Sequence, residues 1–165
     1  MKSTDKFLVG IVAGIILLVV AAFIITLTRP DPAYQAEDTP KGIAHNYLLA
    51  LQKEDFERAY SYLSPTLDGY PDSAEAFVEQ VKDSSWRFRV DVDTTLAVES
   101  ARITNNRATV DVREARFYES DLFDPGQRTT IFEIELQLDD GGWKIVDADY
   151  YFSPCWVDSE GWGCD

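Results

Sequence analysis

Apolar and polar positions follow three rhythms in turn along the chain. Phe7 to Leu27, FLVGIVAGIILLVVAAFIITL, is unbroken by charge or proline. At about 1.5 Å per residue such a helix spans roughly 30 Å, the hydrocarbon thickness of a bilayer. The rhythm then becomes helical. Thr39-Pro40 reads as an N-cap followed by proline at the first helical position, and Ile43, Ala44, Tyr47, Leu48 and Leu51 fall on one face. Asp55 starts a second helix with Phe56, Ala59, Tyr60 and Leu63 inward, stopped by Ser64-Pro65. Thr66 to Pro71 is a loop. Asp72 with Glu75 has capping-box spacing, and Ala74, Phe77, Val78 and Val81 form the stripe of a third helix.

After Asp83 the period drops to two. Trp86, Phe88, Val90 and Val92 alternate with charged residues as a half-buried strand. Thr95 to Thr104 is a second strand, with a bulge expected near Ala101. Asn105-Asn106 is a turn. Ala108, Val110 and Val112 lead a third strand. Its alternation breaks past Arg113, where Ala115 and Phe117 change phase, so a bulge is expected there too. Glu119 to Arg128 is a long hairpin loop. Phe132, Ile134, Leu136 and Leu138 mark the fourth strand, Asp139 to Gly142 a tight turn, and Trp143 to Phe152 a fifth strand apolar on both faces. The expectation is α+β: a single N-terminal transmembrane helix, then three helices packed on a curved antiparallel sheet of four to five strands.

Lys2 and Lys6 precede the apolar stretch and Arg29 follows it, so the positive-inside rule places residues 1–6 in the cytoplasm as a short stub. Residues 7–28 then form the anchor and 29–39 a stalk. The stalk contains Pro30 and Pro32 and reaches up to roughly 35 Å at about 3.3 Å per residue. Residues 40–153 form the extracytoplasmic domain and 154–165 a tail. The apolar core is longer than a signal-peptide core, and no small-x-small pair follows it, since Ala33 and Ala36 are three apart. There is no cysteine near its end to carry a lipid. An uncleaved single-pass anchor in the cell membrane is therefore the expectation, bound to the bilayer through Phe7–Leu27. Gly10 and Gly14 have the spacing that lets two helices approach closely, although glycine is common in membrane helices anyway.

Charge narrows the partners. The formal net charge is -14, and residues 30–165 hold 12 Lys and Arg against 28 Asp and Glu. Such a surface repels nucleic acid and anionic headgroups. Cys155 and Cys164, in an outward-facing domain, are expected to pair, closing the tail into a short loop worth about 2–3 kcal/mol. Two thiols and one histidine are too few for a zinc site. No phosphate loop, G-x-S-x-G or H-E-x-x-H is present. The acidic clusters Asp139-Asp140 and Asp158–Asp165 lack calcium-loop spacing. No cofactor is expected.

The order of elements resembles the nuclear transport factor 2-like superfamily over roughly residues 38–153. The resemblance rests on Pro40 to Leu51, on Lys53 to Tyr60 (KEDFERAY), and on Asp140 to Asp147 (DGGWKIVD). More narrowly, the chain is similar to anchored or lipoprotein-type members outside bacterial membranes. The resemblance implies a cone-shaped fold that often dimerises through its sheet. Some members are isomerases, dehydratases or cyclases with an acidic or His–Asp centre in the cone, and no motif here carries those residues over.

Candidate chemistry is sparse. His45, the only histidine, falls about 130° round the helix from the apolar stripe and is expected at its edge or outside. Asp147 and Asp149 share strand parity with Trp143 and Ile145, so either is a candidate pocket base if that face looks inward. Tyr47, Tyr60, Trp86, Phe117 and Tyr150 are candidate pocket walls, with ordinary core packing as the alternative use. Trp156 and Trp162 flank the cysteine loop as a candidate partner surface. The leading expectation is a non-catalytic interaction or scaffold domain that binds a membrane or envelope protein, as an accessory subunit, or self-associates. Binding of a small apolar ligand in the cone, or an isomerase or hydrolyase with an Asp base, are the alternatives.

Overall fold

The computed structural model describes residues 3–27, 32–88, 94–118, 126–161 and 164. The chain divides into two units, one ending at Ala33 and one beginning at Tyr34. The first holds helix α1, Ser3–Leu27. Within it, Phe7–Ile24 has a mean hydropathy of 3.1 and none of its side chains is buried. This helix is long and apolar enough to cross a bilayer.

The second unit is α+β. Helix α2, Pro40–Gln52, starts as expected: the Thr39 hydroxyl accepts from the Gly42 amide at 3.1 Å, with Pro40 in the first turn. It is not amphipathic in the expected sense. Asn46, Leu49 and Ala50 are buried along with the apolar stripe. The reason is the segment before it. Residues 34–37, assigned from the sequence to the stalk, lie on α2 and α3 (Phe56–Ser61). The Asn46 amide grips the Gln35 backbone twice, accepting from its N–H at 2.7 Å and donating to its carbonyl at 2.9 Å. Gly42 permits this approach, since a Cβ there would sit 1.9 Å from the Ala36 carbonyl oxygen. Residues 34–37 of the expected stalk therefore belong to the second unit.

Helix α3 stops at Ser61, earlier than expected, because Leu63 leaves it to form a parallel bridge with Ile145. Helix α4, Ala74–Asp83, is capped by Ser73, whose hydroxyl accepts from Ala76 N–H at 3.2 Å. The expected Asp72 cap is thus displaced by one residue. Ser85–Phe88 form a helical turn, α5, rather than the start of a strand. The rest of that expected strand, 89–93, lies outside the described residues.

Four antiparallel strands follow in the order β1 (Thr94–Thr104), β2 (Arg107–Phe117), β3 (Gln127–Asp139) and β4 (Gly142–Ala148). The turn at Asn105-Asn106 is present, with Asn105 at φ 56. The β1 bulge lies between Val98 and Ser100, before the expected place. No bulge interrupts β2, which pairs with β3 in register from Arg107 to Phe117. One face of the sheet is buried through Val110, Val112, Phe132, Ile134, Leu136 and Ile145. The opposite face is polar and exposed, with Arg102 bridging to Glu133 at 2.8 Å and Arg113 paired with Glu99.

Asn46→Ala removes both bonds to the Gln35 backbone and unpins the segment that covers α2. It should lower stability by about 1–2 kcal/mol, read as a shift in urea midpoint at unchanged slope.

Candidate functional site

The inner face of β2 runs Ala108, Val110, Val112 and then Glu114, all buried. Glu114 is 0% exposed. Its Oε1 accepts from the Tyr151 hydroxyl at 2.7 Å, and its Oε2 pairs with Arg116 Nε at 3.0 Å. Tyr151 in turn offers its carbonyl to the Tyr47 hydroxyl at 2.5 Å. Burial pushes the Tyr47 phenol far above its ordinary pKa, so it stays a neutral donor. A carboxylate in this position is tolerated because both oxygens have donors, one of them cationic. Phe132 packs against both Tyr150 and Tyr151 at 5.6 Å between centroids, closing the surroundings with rings.

The residues expected to line a pocket do not converge. Tyr47 is in the core. Tyr60 stacks on Tyr70 at 4.9 Å and donates to the Pro71 carbonyl at 2.7 Å, beneath the 64–72 loop. Tyr150 is half-buried. Trp86 is 73% exposed under the Arg87 guanidinium, and Phe117 is 48% exposed. Asp147 and Asp149 are both exposed. The cause is a bulge in β4: the register shifts between Glu135 and Leu136, so Ile145 and Ala148 point inward and Asp147 outward. Asp149 instead accepts from the Glu133 amide at 3.0 Å on the outer face. The expected pocket base is therefore corrected. The carboxylate inside the fold is Glu114, and its signal in the sequence is the strict alternation from Ala108, read one step too short.

Trp156 is a second correction. It is 1% exposed, packed on Phe77, Phe88 and Phe152, and cannot present a partner surface. Trp162 lies outside the described residues. Cys155 and Cys164 are at disulfide distance, 1.97 Å between sulfurs. His45 is half-buried on α2. Along α1, nothing lies within 4 Å of a Cβ placed on Gly10 or Gly14. Among the described residues no group of three or more His, Cys, Asp or Glu is placed to hold a metal.

A second polar cluster fastens the start of the domain. Arg58 lies 3.7 Å over the Tyr34 ring, pairs with Glu37 at 2.8 Å, and donates from Nε to the Tyr62 hydroxyl at 2.8 Å. Tyr62 donates to the same Glu37 oxygen at 2.6 Å, and the Tyr34 hydroxyl donates to Asp55 at 2.9 Å. The bonds from Tyr62 and Arg58 hold Glu37 below the usual carboxylate range. Beside it, an open hollow of about 350 Å³ is lined by Glu54, Asp55, Phe56, Glu57, Ala74, Glu75 and Val78.

No family model matches the chain, and no curated protein matches it in sequence. Solved structures do resemble it. A SEC-C motif containing protein from Rhodopseudomonas palustris aligns at 13% identity and TM-score 0.49, over 70% of this chain and 81% of that one. A nuclear transport factor 2-like protein with a cystatin-like fold from Novosphingobium aromaticivorans aligns at 12% identity and TM-score 0.45, over 66% and 75%. A candidate polyketide cyclase from Sinorhizobium meliloti aligns at 13% and 0.44, over 70% and 97%. None of these values places the chain in a family.

Two outcomes follow. Tyr151→Phe strips Oε1 of Glu114 of its donor and should cost about 1–3 kcal/mol in chemical denaturation, with the fold retained by circular dichroism. Glu37 has a folded pKa below its ordinary value of 4.5, so its contribution is present above that value and lost as pH falls through the folded pKa. Glu37→Gln should therefore destabilise at neutral pH by about 0.5–1 kcal/mol, an exposed-pair magnitude. The gap to the parent should narrow as pH falls below 4.5 and through the folded pKa.

Proposed function

We propose that this protein is a single-pass membrane protein whose outward-facing domain, of the nuclear transport factor 2-like type, acts by binding another membrane or envelope protein. The observation that carries this reading is the interior. Among the described residues the interior is taken by the chain's own side chains, with Tyr47, Phe152, Trp156, Ile134 and Leu136 all 0–1% exposed. Of the aromatics and aspartates that would have lined a pocket, Tyr47 packs in the core, Tyr60 and Tyr150 are half-buried, and Trp86, Phe117, Asp147 and Asp149 are exposed. Support for the anchor comes from α1, whose apolar side chains face outward all round. The tail cysteines suit an oxidising compartment outside the cytoplasm. Helices followed by an antiparallel sheet support the fold type.

An exposed aromatic is the natural anchor for such a partner, and Trp86, with Arg87 stacked on it, combines the two residue types most enriched at interface centres. A catalytic reading has one foothold, Glu114. It requires Tyr151 or Arg116 to give up its bond before a substrate reaches either oxygen.

The native mass of the full-length protein, extracted from its own membrane in mild detergent, decides between these. An assembly larger than a homodimer is the expected result, and Trp86→Ala should reduce its affinity at least tenfold, about 1.4 kcal/mol. A monomer or homodimer alone, with a small molecule retained in native mass spectrometry, would overturn the proposal in favour of ligand binding.

A further inference from the structure

The C-terminal strap, described over residues 153–161 and at Cys164, follows the last strand, and its Trp156 closes over the aromatic end of the core. Trp156 leads the large, fully buried side chains of the domain. Its indole stacks on Phe77 from α4 at 5.4 Å, meets Phe88 from α5 at 5.7 Å and Phe152 edge-on at 4.8 Å, and donates from Nε1 to Gln80 Oε1. Its carbonyl accepts from the Gly69 amide at 3.1 Å. Gly69 is required there, because a Cβ would sit 2.0 Å from the Cys155 carbonyl oxygen. Further out, the Ser159 hydroxyl donates to Asp68 at 2.7 Å, while Val157 to Glu160 are exposed. Among its described residues the strap is thus one large plug followed by a solvent-facing run, 157–160.

Both cysteines lie within the strap, and their bond closes it into a ring. The disulfide does not staple the strap to the body; it restricts the strap itself, over a sequence separation of 9. Its effect is on the undocked strap. With the ring closed, few conformations are gained when Trp156 leaves its slot. With the ring open, many are gained. Chain entropy for a loop of this length makes the undocked strap about a hundredfold more accessible after reduction.

We propose that the Cys155–Cys164 ring is a redox latch on the Trp156 plug. Reduction lets the strap undock as a unit and uncovers the aromatic face formed by Phe77, Phe88 and Phe152. The reaction is ordinary thiol–disulfide exchange. A thiolate of a dithiol reductant attacks one sulfur of the pair and releases the other as thiolate. The reductant's second thiol then resolves the mixed disulfide. Two thiols are left on this chain and one disulfide on the reductant. The proposal does not depend on what the domain binds.

Hydrogen exchange on the full-length protein in mild detergent tests it, with dithiothreitol as the reductant and peptides read by mass spectrometry. Oxidised, the strap peptide 154–161 and the loop peptide 66–70, which contains the Gly69 reporter amide, should exchange faster than β2 peptide 108–114. Reduced, both should speed up about a hundredfold, while β2 remains the slowest. Cys164→Ser should reproduce the reduced pattern without reductant. Unchanged rates after reduction, strap exchange at the β2 rate in the oxidised protein, collapse of β2 protection together with the strap, or free thiols in the unreduced chain would each overturn the latch.

Discussion

Tyr151 holds the second unit together at a backbone angle its side chain does not favour. Its φ is 60°, in the left-handed region that disfavours a bulky residue by about 1–3 kcal/mol. Polar bonds in three directions offset that cost. Its amide donates to the Arg87 carbonyl on α5, its carbonyl accepts from Tyr47 on α2, and its hydroxyl donates to Glu114 on β2. One residue therefore ties two helices to the sheet just after the last strand ends. The left-handed turn also redirects the chain, so Phe152 and Trp156 enter the aromatic end of the core instead of continuing β4. The burial of Glu114 makes sense in this light. A carboxylate there accepts two donors at once, which an apolar residue of the same size cannot do.

The other end of the domain is fastened by different chemistry. Arg58 has its planar face on Tyr34 and its edge on Glu37 and Tyr62, using both the stacking and the donor geometry that lysine lacks. Asn46 adds a side-chain copy of a strand pairing with Gln35. The segment leading in from α1 thus becomes part of the fold at Tyr34, and α2 is covered on the side that its polar residues had suggested was wet.

This explains what was legible in the sequence. Helix α2, the Asn105-Asn106 turn and the in–out pattern of β3 follow from spacing and capping alone, because each is decided within a few residues. Three features were not legible because distant partners decide them. The alternation Trp86–Val92 looks like a strand, yet Arg87 and Phe88 are drawn into a helical turn by Tyr151 and Trp156. Asp147 and Asp149 have the parity of Ile145 until a bulge at Val146, invisible in spacing, turns them outward. The alternation of β2 was read as breaking past Arg113, at Ala115 and Phe117, because a charge at the inward position 114 is not recognised as core until its partners at 116 and 151 are known. The candidate site suffered most, since side chains from separate elements either meet or fail to meet only once the sheet's twist and bulges are set.

The polar face of the sheet bears on how such a domain meets other proteins. Arg102 reaches Asp111 at 3.7 Å and Glu133 at 2.8 Å, Arg113 pairs with Glu99, and Ile131 is the main exposed apolar residue among them. A face of mutually paired charges is stable in water as it stands. Covering it with a second copy would desolvate the pairs for little apolar gain, because removing ion pairs from water costs more than their attraction returns unless every remaining donor and acceptor is matched. Among the described residues β1 is an edge strand, and that edge is also guarded. Its bulge interrupts the ladder, and Lys41 donates to the Glu99 carbonyl at 2.8 Å. Association through the sheet is thus disfavoured on the face and on that edge. Among the described residues of the second unit, the exposed aromatics are Trp86 on α5 and Phe117 and Tyr118 at the end of β2, away from the Arg102 and Arg113 pairs.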